Sequence, residues 1–139
     1  MSRIRVTLKL IHITDNLELG DTKQGEFVFT ARVESDAGGA TETRIPADGS
    51  WFISQLPGKN RVKCSEVLFE GDANNRLVVT VSGEEQDQLS GSDALQTYSR
   101  EFTGEPSSWA GTYSPADDEG AGDPEDMTNW KIGYEISVI

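Results

Sequence analysis

The chain is poor in the residues that build disulfides, soft-metal cages and covalent catalysis. Its 139 residues include one cysteine, Cys64, and one histidine, His12. A single cysteine excludes an internal disulfide, and a thiolate zinc cage needs several Cys or His ligands. The same scarcity leaves little material for a Cys–His nucleophile. Long apolar runs are missing too. No stretch approaches the ~20 residues of a spanning helix, so no transmembrane segment is expected. The first residues, Met1 to Val6, alternate like a strand and lack the apolar core of a signal peptide. The expected location is therefore cytoplasmic, with leaderless export left open. Positive charge is in deficit: 12 Lys and Arg stand against 24 Asp and Glu, a formal net charge of -12. Such a surface repels phosphates, which argues against a nucleic acid partner and suits cations or basic partners. Charge alone does not separate a cation-binding protein from an acidic soluble one.

What is present is strand-like. From Arg3 to Ile13, Ile4, Val6, Leu8 and Leu10 alternate with Arg3, Arg5, Thr7 and Lys9, the period of a half-buried strand. Glu26 to Val33 alternates again after a polar stretch, Thr14 to Gly25. Glu34 to Thr43 reads as a loop around Gly38-Gly39. Trp51-Phe52-Ile53 starts a further apolar burst, and Val62 to Phe69 is a strand candidate ended by a turn-rich break, Glu70 to Asn75. Arg76 to Ser82 is the clearest strand, β-branched and bounded by turn residues. Gly83 to Ser92 reads as a long polar loop, Leu95 to Phe102 as a strand, and Trp130 to Val138 as the last strand. The segment 103–129 is rich in Gly, Pro, Ser, Asp and Glu, lacks a helical period and reads as a long acidic loop insertion over the surface. No amphipathic helix and no internal repeat is found. Length and spacing predict one all-β domain over 1–139, an antiparallel sandwich or barrel of seven or eight strands.

Two connections carry acids at a spacing that suggests chemistry. The first holds Asp15 and Asp21; the second holds Glu85, Asp87 and Asp93. Calcium takes six to eight hard oxygens, more than any short run here supplies, so two loops have to converge on it. An x-separated acid pair on an extended segment sends both carboxylates to one side. Clustered carboxylates repel, and a bound divalent ion removes that cost.

These residues resemble the C2 domain, an eight-stranded calcium-dependent β-sandwich. Asp15-Asn-Leu-Glu-Leu-Gly-Asp21 is similar to the first calcium loop of that family. The stretch Leu77-Val-Val-Thr-Val81 followed by Glu85-Gln-Asp87 and Asp93 is similar to its Leu-x-Val-x-Val strand and third loop. The resemblance covers roughly residues 3 to 102 and the last strand. It implies a C2-like eight-stranded fold, calcium as the ion, and Asp15, Asp21, Glu85, Asp87 and Asp93 as side-chain ligands. Three departures stand out. Glu85 occupies a position where the family has Asp, Asp21-Thr-Lys replaces Asp-Pro-Tyr, and the insertion at 103–129 is long.

Other features have plainer readings. Asp117, Asp118, Glu119, Asp123, Glu125 and Asp126 read as a solvated acidic loop, with a second cation site as the competing reading. Leu17, Leu19 and Leu89 lie inside the acidic loops, where the family often presents apolar tips to a bilayer; loop packing explains them equally well. Trp51, Trp109 and Trp130 read as core or loop anchors. Cys64 reads as a small buried hydrophobe and His12 as a structural strand residue. No catalytic constellation emerges, and the protein is expected not to be an enzyme. The leading expectation is a calcium-binding module whose ion-loaded loops dock to a phospholipid membrane, a protein or an anionic ligand. The alternative is a structural or assembly protein in which the ion is a staple or is absent.

Overall fold

The structure is a computed structural model and describes residues 2–13, 24–37, 39–54, 60–87, 91–114, 125 and 130–139. Asp15, Asp21, Leu17, Leu19, Leu89, Asp117, Asp118, Glu119, Asp123 and Asp126 lie outside the described residues.

Ten strand segments follow one another: β1 (Ser2–Ile13), β2 (Gln24–Ser35), β3 (Gly39–Ile45), β4 (Trp51–Ser54), β5 (Arg61–Ala73), β6 (Arg76–Asp87), β7 (Gly91–Ala94), β8 (Tyr98–Thr103), β9 (Gly111–Tyr113) and β10 (Trp130–Val138). The described residues hold no α-helix, only a 3₁₀ turn at Pro106–Trp109. One sheet has the order β5-β1-β10-β9. In the other, β2 and β6 form the centre. β3 and β4 share one edge of β2 end to end, while β8 and β7 share the far edge of β6 in the same way. Each sheet therefore has four lanes, and all pairings are antiparallel. The expected eight-stranded sandwich is present, with two of its lanes broken into two segments each.

The inner faces follow the sequence alternation, with one correction. Ile4, Val6 and Leu8 are fully buried, but the phase then changes, and Ile11 and Ile13 point inward while Leu10 is only half-buried. A register shift between Leu8 and Leu10 on both sides of β1 absorbs the extra residue at Lys9. A bulge of this kind keeps apolar side chains inward across a break in period two. Trp130, Ile132, Tyr134 and Ile136 on β10 extend this layer, and Phe27, Phe29, Leu77, Val79 and Val81 of the other sheet complete the core, with the Phe29 and Trp130 rings 5.2 Å apart. Trp109 and Trp130 are buried as anchors, and their indole N–H groups donate to the carbonyls of Thr103 and Gln96.

Four segments expected as loops contain strands, and one of them is the insertion 103–129, where Gly111–Tyr113 forms β9 against β10 beside the Pro106–Trp109 turn. Glu34 to Thr43 is the β2–β3 hairpin. β3 escapes the sequence pattern because it is an edge strand with one fully buried side chain, Ile45. β5 continues to Ala73 through Gly71, whose inner side is covered by the Phe69 ring at 3.0 Å from a virtual Cβ. β6 runs to Asp87 and pairs with β7, so Gly83 to Ser92 is mostly a hairpin.

Candidate metal site at the loop end

The sandwich has two unlike ends. The residues flanking 14–23, 55–59 and 88–90 all stand at one of them. Ile13 donates to the carbonyl of Asn60 at 2.8 Å, Gln24 pairs with Ser54, and Glu26 pairs with Gln86. Asn60 Nδ2 also donates to His12 Nε2 at 2.8 Å, tying β1 to the start of β5. His12 thus has the structural role expected of it.

The acids of the second connection sit on this end. The alternation that buries Leu77, Val79 and Val81 continues along β6 to Glu85, whose side chain is 1% exposed on the inner face opposite Phe27. The β6–β7 register pairs Glu85 with Asp93 and Asp87 with Gly91. Facing residues on antiparallel strands have Cα atoms roughly 4.5–5.5 Å apart. Three of the five expected ligand positions therefore belong to one hairpin, although eight residues separate Glu85 from Asp93. The backbone of Asp87 and Asp93 is described and their side chains are not; Asp15 and Asp21 lie outside the described residues. Among the described residues no three His, Cys, Asp or Glu side chains gather as a metal cluster. The donor set that the chain offers here is carboxylate only, which fits a hard cation such as calcium and not a soft one.

Acids at the opposite end are already engaged. Asp36, in the β2–β3 turn, accepts from the N–H groups of Asn74 and Asn75 at 2.9 Å each. The Asn74 N–H, the larger cause, holds the Asp36 carboxyl below its usual range. Ser35 Oγ donates to the carbonyl of Asp72 at 2.6 Å, and Gly104 N donates to that of Asn75 at 3.0 Å. Four strand ends are closed together by these bonds.

A third acid environment was missed by sequence reasoning. Glu125 belongs to the insertion expected to be solvated, yet it is 4% exposed. Arg100 Nη1 donates to both of its carboxylate oxygens at 2.9 Å, and Tyr98 Oη donates to Oε2 at 3.0 Å. Because Tyr98 spends its one proton on Glu125, the 2.6 Å bond between the phenols is donated by Tyr134. The Arg100 guanidinium lies 4.8 Å from the Tyr113 ring centre and 5.2 Å from that of Phe102. Burial pushes both Tyr98 and Tyr134 upward, with the Glu125 charge adding to it. A charged pair at the seam between the two sheets is tolerable because the buried Glu125 carboxylate has donors on both oxygens, while Arg100 keeps one-third of its side chain in solvent. One signal pointed this way. In Tyr98-x-Arg100-x-Phe102 the arginine has the inward phase of β8, and an inward cation demands an acid.

Cys64 is half-buried, its Sγ 3.7 Å from the Leu8 carbonyl, and burial pushes its thiol up to about 11. It packs against the core but is only partly buried, where a buried residue was expected.

No family model matches this sequence, and no curated protein sequence does. Solved structures do resemble the fold. One C2 domain of plant extended synaptotagmin 1, the domain designated A, superposes with a TM-score of 0.51 at 9% identity, over 99% of this chain and 93% of that one. Human GIVD cytosolic phospholipase A2, in complex with methyl gamma-linolenyl fluorophosphonate inhibitor and terbium chloride, gives a TM-score of 0.50 at 10% identity, over 99% of this chain. The chain spans 17% of the length of that phospholipase. The chain has a divergent C2-like β-sandwich fold.

Proposed function

We propose that this protein is a non-catalytic calcium-binding module whose loop end docks to a partner once the ion is bound. The reading is supported most by one observation. The described flanks of 14–23 and the Glu85–Asp93 hairpin share one end of the sandwich, so acids far apart in sequence belong to neighbouring connections. Asp15, Asp21, Glu85, Asp87 and Asp93 would hold the ion, with loop carbonyls completing six to eight oxygens. Bound calcium would offset part of the negative charge of these acids and bridge the two connections, which favours contact with a membrane, a protein or an anionic ligand.

Thermal unfolding at matched ionic strength, in millimolar calcium and in chelator, tests the reading. A ligand that binds only the native state raises the melting temperature as its concentration passes the dissociation constant. A rise in calcium that is lost in the Asp87→Asn, Asp93→Asn variant is the expected result. No rise in the wild-type protein would leave these acids without a shared ion and the sandwich with a structural or assembly role.

A further inference from the structure

We infer that β3 is a self-pairing edge, through which two copies of this chain join their β2–β6 sheets into one across a two-fold axis. The inference goes beyond the calcium reading and does not depend on it.

The observation is an edge without the usual protection. A sheet edge presents unpaired N–H and C=O groups, and proteins blunt it with bulges, lysine, proline or inward charges. β5, an edge of the other sheet, has two register shifts against β1 and carries Lys63. β4 and β9 are four and three residues long. β8 carries Arg100 in its inward phase, opposite the buried Val79. β3 has none of these devices. It pairs with β2 from Ile45 to Gly39 without a register shift, and it contains no proline or lysine. Its two charged residues, Glu42 and Arg44, lie in the outward phase, opposite Arg32 and Thr30. Ala40, Thr41, Glu42 and Arg44 are exposed. Among the described residues β2 is the one strand that pairs with β3.

The sequence of this edge is complementary to itself. Two sheets that continue each other keep their inner faces on one side, so residues of like phase must stand opposite. Antiparallel pairing with Thr43 on the axis meets this requirement. Glu42 of each copy then faces Arg44 of the other, Thr41 faces Ile45, and Thr43 faces its own mate. Threonine pairs and opposite charges are favourable across strands, and like charges are not. Moving the axis to Glu42 sets acid on acid, and moving it to Arg44 sets cation on cation. Both charges are already positioned. Arg44 Nη1 and Nη2 donate to the carbonyls of Pro46 and Gly49 at 2.7 Å each, and Glu42 lies 3.9 Å from Arg32. Pairing therefore builds the line Arg32–Glu42–Arg44 across the junction twice, each time with the acid between two cations. A two-fold contact of this kind uses the same patch on both copies and closes at the dimer. The net charge of -12 on each chain is no obstacle. At physiological salt, charges farther apart than about 8 Å are largely screened, so the facing residues decide the sign of the interaction.

Sedimentation velocity at physiological salt, from micromolar to millimolar protein and in chelator so that no divalent ion contributes, provides the test. The wild type should show a reversible monomer–dimer equilibrium. Glu42→Arg sets cation opposite cation, and Arg44→Glu sets acid opposite acid. Each alone should weaken association about tenfold, although the two shift the net charge in opposite directions. A mixture of the two variants recreates both opposite-charge pairs, so it should associate as the wild type does. Amide hydrogen exchange over Gly39–Ile45 should slow as the wild-type dimer fills. A wild type that is monomeric at every concentration, association that neither variant weakens, a mixture no stronger than its components, or unchanged exchange in β3 overturns the inference.

Discussion

The two ends of the sandwich both carry acids, and the proposed function has them used in opposite ways. At the turn end, Asp36 spends both carboxylate oxygens on backbone N–H groups of the facing turn, and the strand ends are closed by hydrogen bonds. At the loop end, Glu85, Asp87 and Asp93 belong to one hairpin, and the flanks of a second acid-bearing connection lie beside it. An acid with protein donors is structural and needs no ion. The proposed function sets the loop-end acids against this rule, with an ion bridging them. Glu125 follows the first rule at a third place, the seam, where Arg100 and Tyr98 satisfy it.

That contrast can be broken by substitution. The largest effect is expected at the seam. Glu125→Ala strands Arg100 against the aromatic rings and should cost about 3 kcal/mol, near the lower limit for breaking a buried pair because Arg100 is one-third exposed. Chemical denaturation should give the same loss in calcium and in chelator; a loss confined to calcium would assign Glu125 to the ion instead. The next effect concerns calcium itself. At a hundredfold excess over its dissociation constant the ion should add about 2.7 kcal/mol of stability. The Asp87→Asn, Asp93→Asn variant should lose this gain entirely, and Asp36→Asn should keep it, as read by calorimetry.

Smaller effects sharpen the picture. Gly83 lies where β6 passes from β8 to β7, and a Cβ there would stand 2.5 Å from the Phe29 ring. Gly83→Ala should therefore cost about 1–3 kcal/mol through overpacking, measured by urea unfolding. The smallest effect is that of Asp36→Asn on the pH profile. The native Asp36 carboxyl titrates below its ordinary value of 3.8, so its contribution is present above that pH and fades as pH falls through the lowered native value. Variant and wild type should differ at neutral pH and converge in acid. A constant difference at all pH values would mean that the carboxylate charge is not what closes the turn.

Much of the architecture was legible because burial imposes a period. Leu77, Val79 and Val81 announce β6, and Trp130 to Val138 is found with the boundaries read from sequence. β3 was invisible because an edge strand with exposed faces needs no apolar alternation, only a ladder of backbone bonds to β2. The phase change after Leu8 was hidden because Leu10 continues the pattern that Ile11 and Ile13 then contradict; only the bulge at Lys9 resolves the two. That Glu85, Asp87 and Asp93 fall close together could be read from spacing, since the hairpin register is local. Glu125 could not, because nothing in a run of six acids distinguishes the one that meets Arg100.

The place of β10 bears on how the chain reaches this state. The last strand is an inner member of its sheet, flanked by β1 and β9, and Ile139 donates to the carbonyl of Arg3 at 2.9 Å. Among the described residues, the β2–β6 sheet draws only on strands between residues 24 and 103, so it can assemble before residues 130–138 have emerged from the ribosome. β1 must wait, half-paired, until residues 130–138 have been made. Pairing across most of the chain's length is entropically slow, so closure of this sheet is expected to be the late step of folding. During synthesis the unclaimed edge of β1 is therefore the part of the molecule most exposed to misassembly.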